Sequence, residues 1–365
     1  MGDTMKRIDK KLFITTIITC LYGIIMIYSA SSIWAKYKFN NSFHYVILQT
    51  IFFILGLLLM IIVSNINYKK YLTYSNKILL TCIILLILVL IPKIGTIRNG
   101  SRSWFGIGGF GIQPSEFMKL ALIIFTSKYI YNNPKDMKKV TTGAFPVLII
   151  TLLSFGLIML QPDFGTGVIL VTTIILMLFI SGVPFSFFIK VGLLGVVGVV
   201  ILILIAPYRM DRITSFINPW NDPLGTGFQT IQSLFAIGPG GLFGMGFGNS
   251  IQKHFYLPEP QTDFIFSIIS EELGVIGIIS VAILFLIIIL RCIKISIKAP
   301  DIFSKFLVLG IIFQLTIQTI LNLSVVVGLV PVTGVTLPFF SYGGSSLILT
   351  MIEIGMVLNV SKNIS

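Results

Sequence analysis

Apolar residues in this chain gather into runs of about 20, long enough to cross a bilayer as helices, and the runs recur over its whole length. The pattern predicts ten helices, over 12–32, 44–64, 77–94, 115–131, 143–160, 165–181, 186–206, 264–290, 305–330 and 341–360. Between them lie short polar stretches, with one long exception, 207–262. Loops beyond about 12–15 residues are usually functional or disordered. This one holds Phe216, Trp220, Phe228, Phe235, Phe243, Phe247 and Tyr256, which argues for order. Within it Phe228, Ile231, Leu234 and Phe235 have helical spacing, which predicts a short amphipathic helix on the membrane surface.

Composition fits this picture. The 365 residues are 55% hydrophobic and 11% charged, with a mean hydropathy of +0.99. A soluble domain carries about 25% charged residues. The expected fold is therefore an all-α polytopic membrane protein, one integral domain over 1–365, with the loop 207–262 between helices seven and eight. No internal repeat is visible, although inverted repeats often escape inspection. Lys6, Arg7, Lys10 and Lys11 ahead of an apolar run, with Ser29-Ala30-Ser31 after it, imitate a signal peptide. The run has span length and more spans follow, so it is expected to be an uncleaved first helix. Cys20, Cys82 and Cys292 are scattered in apolar runs and read as packing residues, neither a disulfide framework nor a zinc site.

Charge sets the expected orientation. An even helix count puts both termini on one side. Seventeen of the 26 Lys and Arg fall on that side, so both termini are expected in the cytoplasm. The net charge of +13 invites a nucleic-acid reading, which the one-sided distribution argues against. The acids lean the other way. Asp163, Asp211, Asp222, Glu259 and Asp263 lie in or beside outer loops, and Glu116 opens the fourth helix on the outer side. Chemistry is expected at that face.

The segment Leu257–Ser267, LPEPQTDFIFS, puts Asp263 where a Pro-rich loop becomes an apolar helix. An ionisable residue at a span is costly and is a functional candidate until a structural partner is found. Asp263 is either a helix-start acid favoured by the macrodipole or a general base oriented by Gln261 and Thr262. At 100° per residue, Ser267, Ser270 and Glu271 would extend it as one polar stripe, with Glu272 opposite as a contact to another helix.

The third outer loop, RNGSRSWFGIGGFGIQPSEFMK, places Arg102 beside Trp104, a fork for phosphate next to cover for an apolar chain. Glu116 and Lys119, spaced i, i+3, share a helix face as an ion pair or a site. Gln161–Gly165 reads as a tight turn. The Gly-rich stretch 238–250 lacks the ending of a phosphate loop and reads as close backbone packing. In SYGGSS, 341–346, Ser345 and Ser346 either permit close helix contact or line a cavity, and Glu353 below them needs a partner. His44 and His254 make no local metal motif. No metal ligand is assigned.

The motifs GNSIQKHFYLPEP (248–260), YLPEPQTDFIFSIISEELG (256–274), QPSEFMKL (113–120), QPDFGT (161–166) and PFFSYGGSS (338–346) resemble the SEDS family (shape, elongation, division and sporulation), nearest its FtsW and SpoVE branch. The likeness runs from the first helix to the last. The PQ before Thr262 is a departure of branch type. The resemblance implies ten transmembrane helices and a peptidoglycan glycosyltransferase that polymerises lipid II outside the cytoplasmic membrane. It implies a class B penicillin-binding protein as transpeptidase partner, among other division or sporulation wall-synthesis membrane proteins. The family's essential acid matches Asp263, its cavity residues match Trp104 and Arg102, and its Q-P-[AS]-E-x-x-K motif matches Glu116 and Lys119.

The family's α-linked donor and β-linked product imply a single inversion, with Asp263 as base. Arg102 and Lys119 would meet the leaving diphosphate, with or without a divalent cation such as Mg or Mn. Two rivals stand beside this reading, a lipid II flippase and a scaffold without chemistry. The SpoVE-like wording of 256–274 leans toward a role in cell division or spore cortex synthesis.

Overall fold

The computed structural model describes residues 8–98, 100–107, 110–205 and 207–364. The expectations placed on Lys6 and Arg7 lie outside them. Ten long helices form: α1 (Lys10–Phe39), α2 (His44–Asn65), α3 (Lys69–Leu90), α4 (Pro114–Asn132), α5 (Phe145–Met159), α6 (Phe164–Ile180), α7 (Phe185–Ile205), α10 (Ile265–Ile297), α11 (Ile302–Val326) and α12 (Gly344–Lys362). Two short helices, α8 (Pro207–Ile217) and α9 (Phe228–Ile237), lie in the long loop. Eight of the ten, α5 counted from Val140, are long and apolar enough to cross a membrane; α6 has 17 residues, and α4 carries Glu116, Lys119 and Lys128.

The helix starts follow from local chemistry. Asp9 caps α1, its carboxylate accepting Leu12 N–H at 3.0 Å. Asp301 caps α11 in a reciprocal box with Ser304. Pro114 opens α4, where a missing N–H costs nothing. Several ends differ from the pattern. The third helix begins at Lys69 rather than 77, so Lys77 is helical, and the last begins at Gly344 rather than 341. The polar first turns of α3 hide its start from an apolar count.

One end of the bundle is pinned by polar contacts. Arg291, near the end of α10, forms a two-pronged salt bridge with Asp9, whose N–H donates to Ser361 of α12 at 3.1 Å. Tyr68, before α3, donates its hydroxyl to Asp301 at 2.5 Å and its N–H to Asn359 at 2.9 Å. The starts of α1, α3 and α11 thus meet the ends of α10 and α12. Interior packing is close. Gly355 of α12 admits the backbone of Met60 on α2, and Gly310 of α11 admits Ile123 of α4 and Met177 of α6. Large apolar side chains such as Ile14, Ile18, Leu21 and Ile25 face outward on α1, as a lipid solvent allows. The three cysteines are buried and free.

The opposite end holds elements the apolar pattern does not reveal. A three-stranded antiparallel sheet, β1 (Thr96–Arg98), β2 (Ser101–Ile107) and β3 (Phe110–Ile112), fills the third loop. Helix α9 forms where expected; Thr230, Ile231, Ser233 and Ala236 are buried against the protein, while Leu234 and Phe235 of the apolar stripe stay exposed. Ser233 donates to the Val326 carbonyl and meets the Ser267 hydroxyl, both at 2.8 Å, tying α9 to α11 and α10.

The Gly-rich stretch is stitched into a break in α10. At Gly274, with φ 62°, the helix ladder opens. Met245 and Gly246 N–H then donate to the carbonyls of Glu271 and Glu272, at 2.9 and 3.0 Å. In return Val275 and Ile276 N–H donate to Gly241 and Leu242. Four backbone groups at the break thus find partners in the Gly-rich stretch.

Candidate active site

Asp263 does not start a helix. It lies in the turn before α10, whose first residue is Ile265 and whose cap uses no side chain. The capping reading therefore fails, and so does the stripe. Glu271 points elsewhere, accepting Ser250 Oγ at 2.5 Å and Ile251 N–H at 2.8 Å. Glu272 is a helix contact, as expected: it takes the Ser29 hydroxyl of α1 at 2.6 Å and Lys253 Nζ at 2.9 Å. Both acids fasten the loop rather than extend a site.

The turn itself is held on three sides. Thr262 Oγ1 lies 2.7 Å from the Glu259 carbonyl and 2.9 Å from Asp263 Oδ1. Its one proton serves a single acceptor at a time. Asn322 of α11 donates to the Asp263 carbonyl at 2.7 Å and to the Val335 carbonyl at 2.8 Å. The carbonyl of buried Gln261 accepts Tyr342 N–H at 2.8 Å, joining the turn to the segment before α12. Burial pushes the Asp263 carboxyl above the usual carboxylate range, and the charge of Glu259 adds to this; the Thr262 hydrogen bond and Arg212 oppose it.

Lys119 of α4 reaches α11 at Gln318, one helical turn from Asn322. It is 2% exposed, pairs with Glu116 at 2.9 Å and donates to Gln318 at 3.0 Å. Gln318 and Asn322 are four residues apart, about 6 Å along the axis. Gln318 also donates to the Thr336 carbonyl, next to the one Asn322 holds. One turn further in, Gln314 donates to Glu353 of α12 at 2.7 Å, the partner that acid needs. Gln314, Gln318 and Asn322 form a polar ladder that the sequence reading missed; their i, i+4, i+8 spacing was its signal.

Asp163 caps α6 through Thr166 N–H at 3.2 Å, so turn chemistry holds. Its other oxygen accepts Gln113 at 2.7 Å and Ser115 at 3.3 Å. Burial raises its carboxyl; Glu116 adds to the rise and Lys119 offsets it. Asp163 thus belongs to the Glu116–Lys119 group.

Arg102 and Trp104 are two apart on β2 and share a face, paired with Ile97 and Thr96. On the other face Ser103 is buried and Ser101 donates to the Gln161 carbonyl. The hairpin is thereby anchored to the Gln161 turn, with Arg102 and Trp104 partly exposed. Ser345 is buried where Gly344 meets the Phe52 ring, and Ser346 is partly exposed. Gln49 of α2 clasps the preceding turn, donating to the Ser341 carbonyl and accepting Gly343 N–H, both at 3.2 Å. That is the close-contact reading of these serines. Arg212 on α8, which the sequence reading also passed over, donates to the Val332 carbonyl at 2.8 Å, on the strand-like segment that Asn322 holds at Val335. His44 stacks on Phe39 at 3.8 Å. Among the described residues no group of three His, Cys, Asp or Glu is placed to hold a metal ion.

A bundle of ten long helices, with buried ion pairs and a raised carboxyl gathered at the end opposite its termini, defines a multi-pass membrane protein with a polar site at one face. The chain belongs to the cell cycle protein family of FtsW, RodA and SpoVE, whose pattern matches residues 9–365. It is 51% identical to stage V sporulation protein E of Bacillus subtilis (strain 168) over 354 residues, 97% of each chain. It is 40% identical to a probable peptidoglycan glycosyltransferase FtsW of Geobacter metallireducens over 357 residues, 98% of this chain and 95% of that one. Its fold is similar to a chain in a peptidoglycan synthase complex described for the coordination of polymerization and crosslinking, with a TM-score of 0.80 at 30% identity over 98% of both. The rod shape determining protein RodA of Thermus thermophilus gives 0.73 at 27% identity, covering 98% of this chain and 97% of that one.

Proposed function

We propose that the chain is a peptidoglycan glycosyltransferase that polymerises lipid II on the outer face of the cytoplasmic membrane, partnered by a class B penicillin-binding protein. Asp263 is the general base. The observation that carries this is a carboxyl of raised pKa, partly accessible, on a turn fixed by Asn322, one helical turn from the Gln318 that Lys119 reaches. A base works best as its pKa approaches the working pH, and burial moves Asp263 that way.

In the reaction the acceptor sugar hydroxyl attacks the anomeric carbon of the donor. Its proton passes to Asp263, the new C–O bond forms, and the bond to the diphosphate breaks. The polyprenyl diphosphate leaves with the electron pair. One displacement inverts the anomeric centre and needs no second carboxylate. Arg102, with Trp104 beside it, and Arg212 are the cations for the leaving diphosphate. Lys119, buried and paired, lends its charge from behind while Glu116 fixes its position. Gln261 and Thr262 orient Asp263, and Ser345 and Ser346 let α12 pack closely behind the site. The positive-inside bias puts both termini in the cytoplasm and this end outside.

A lipid II flippase would need a polar path to the other end of the bundle. The ladder on α11 runs from Asn322 to Gln314 and stops about 18 Å short of the helix start at Ile302, which favours the enzyme. The test is purified wild type and Asp263→Asn, each with a class B partner, given lipid II in detergent. Strands from wild type alone are expected. Strands from the variant would remove Asp263 as base. Lipid II crossing vesicles with no strands formed would favour transport.

A further inference from the structure

We propose that the groove between the outer end of α1 and the loop at Phe255 is a saccharide subsite that holds the glycan strand away from Asp263. This rests on the glycosyltransferase reading and adds a binding site to it. The cavity is about 430 Å³ and is lined by Tyr28, Ser32, Lys36, Tyr37, Ser42 and Phe255. Helix α1 has 30 residues, about 45 Å, against a hydrocarbon core of about 30 Å. Its last turns, which carry the groove, therefore stand at or beyond the membrane surface.

Aromatic residues at that depth commonly anchor a helix in the interface, each ring facing lipid. Here rings from two distant segments converge instead. Phe255 lies 5.4 Å from both Trp34 and Tyr37, and Tyr28 stacks on Phe43 at 5.0 Å. Phe255 is held at φ 67°, a conformation bulky residues rarely adopt, which fixes its ring against α1. Tyr37 nevertheless stays 78% exposed and Phe255 50% exposed.

Exposed ring faces with hydroxyls at the rim suit a sugar, which presents apolar C–H faces and equatorial hydroxyls. Lys36 adds a single cation for a carboxylate on the strand. A diphosphate site would gather several cations, and a lipid-tail site would have no use for Ser32, Ser42 and Lys36. The groove also connects to the reaction centre. Tyr45, beside Trp34, meets Tyr342 at 4.9 Å, and Tyr342 N–H donates to Gln261, two residues before Asp263.

The test uses the full chain in detergent and chitotetraose, a soluble β-1,4-linked N-acetylglucosamine tetramer, read by saturation-transfer NMR. Wild type and Asp263→Asn are expected to bind alike. Tyr37→Ala, at an exposed site, and Phe255→Leu, which keeps apolar bulk without the ring, are each expected to weaken binding about tenfold and to shorten the strands made from lipid II. No binding by wild type overturns the proposal, as does equal binding by both ring variants, or strands of unaltered length from Tyr37→Ala. Loss of the class B partner by these variants with normal tetramer binding would make the groove a protein seat and overturn it too. Ring-dependent tetramer binding in a wild type that makes no strands would keep the subsite and remove the polymerase reading.

Discussion

Asp263 carries its proton more readily in the fold than in the unfolded chain, because burial disfavours the carboxylate. A raised folded pKa means that stability falls as pH rises through it. Activity runs the opposite way, since a base must be deprotonated. The acidic limb of the rate profile is expected above the pH of an ordinary aspartate, with the protein less stable on the active side of that limb. Asp263→Asn should therefore melt higher than wild type above that limb while making no strands. A lower melting temperature there would contradict the burial argument.

Lys119 makes the companion case. It is buried with Glu116, so Lys119→Met leaves an uncompensated carboxylate, a loss of about 3–5 kcal/mol. Glu116→Gln added to it should restore much of the stability and none of the activity. Thermal melts of wild type, Lys119→Met and the double variant check the stability. The pair was legible from i, i+3 spacing. Asp163 read only as a turn residue, because turn chemistry explained it fully without the contacts to Gln113 and Ser115.

At the scale of elements, α10 and its Gly-rich partner show what periodicity omits. The apolar run from Ile265 reads as one helix, and the glycines of 238–250 read as packing. That reading was right in kind, but no local signal tells that the glycines enter a break 30 residues away. Gly274 has φ 62°, and a Cβ there would lie 2.5 Å from Gly244 N. Gly274→Ala is expected to cost at least about 1–3 kcal/mol, and to loosen the Ser250–Lys253 segment that Glu271 and Glu272 hold. Hydrogen exchange at Met245 and Gly246, whose N–H groups fill the break, should accelerate in that variant; unchanged protection would refute the stitch. The β-hairpin did have a signal. In the sequence the dipeptide Asn99-Gly100 is a strong hairpin signal, obscured by the three-residue length of β1.

For the whole molecule the question is how many helices cross. Eight qualify by length and apolarity, yet packing carries α4 and α6 through as well. Helix α4 begins beside Asp163 at the site end, and Lys128 near its finish donates to Asn76 in the first turns of α3 at 3.2 Å. It therefore traverses the bundle despite its charges, which Glu116, Gln318 and Asn76 satisfy within the protein. Helix α6 starts at Asp163, at the same end, and its 17 residues span about 26 Å, slightly under the core thickness, which local thinning accommodates.

Ten crossings put the 133–144 connection on the side of the termini and the long loop on the other. Because Cys20, Cys82 and Cys292 are buried, introduced cysteines report without background. In intact cells a membrane-impermeant maleimide is expected to label Asp222→Cys, and to label Asp136→Cys and Lys362→Cys only after lysis. Labelling at 136 without lysis would mean that α4 turns back, and would place Lys119 and the α11 ladder at a depth where they could not serve an outer-face reaction.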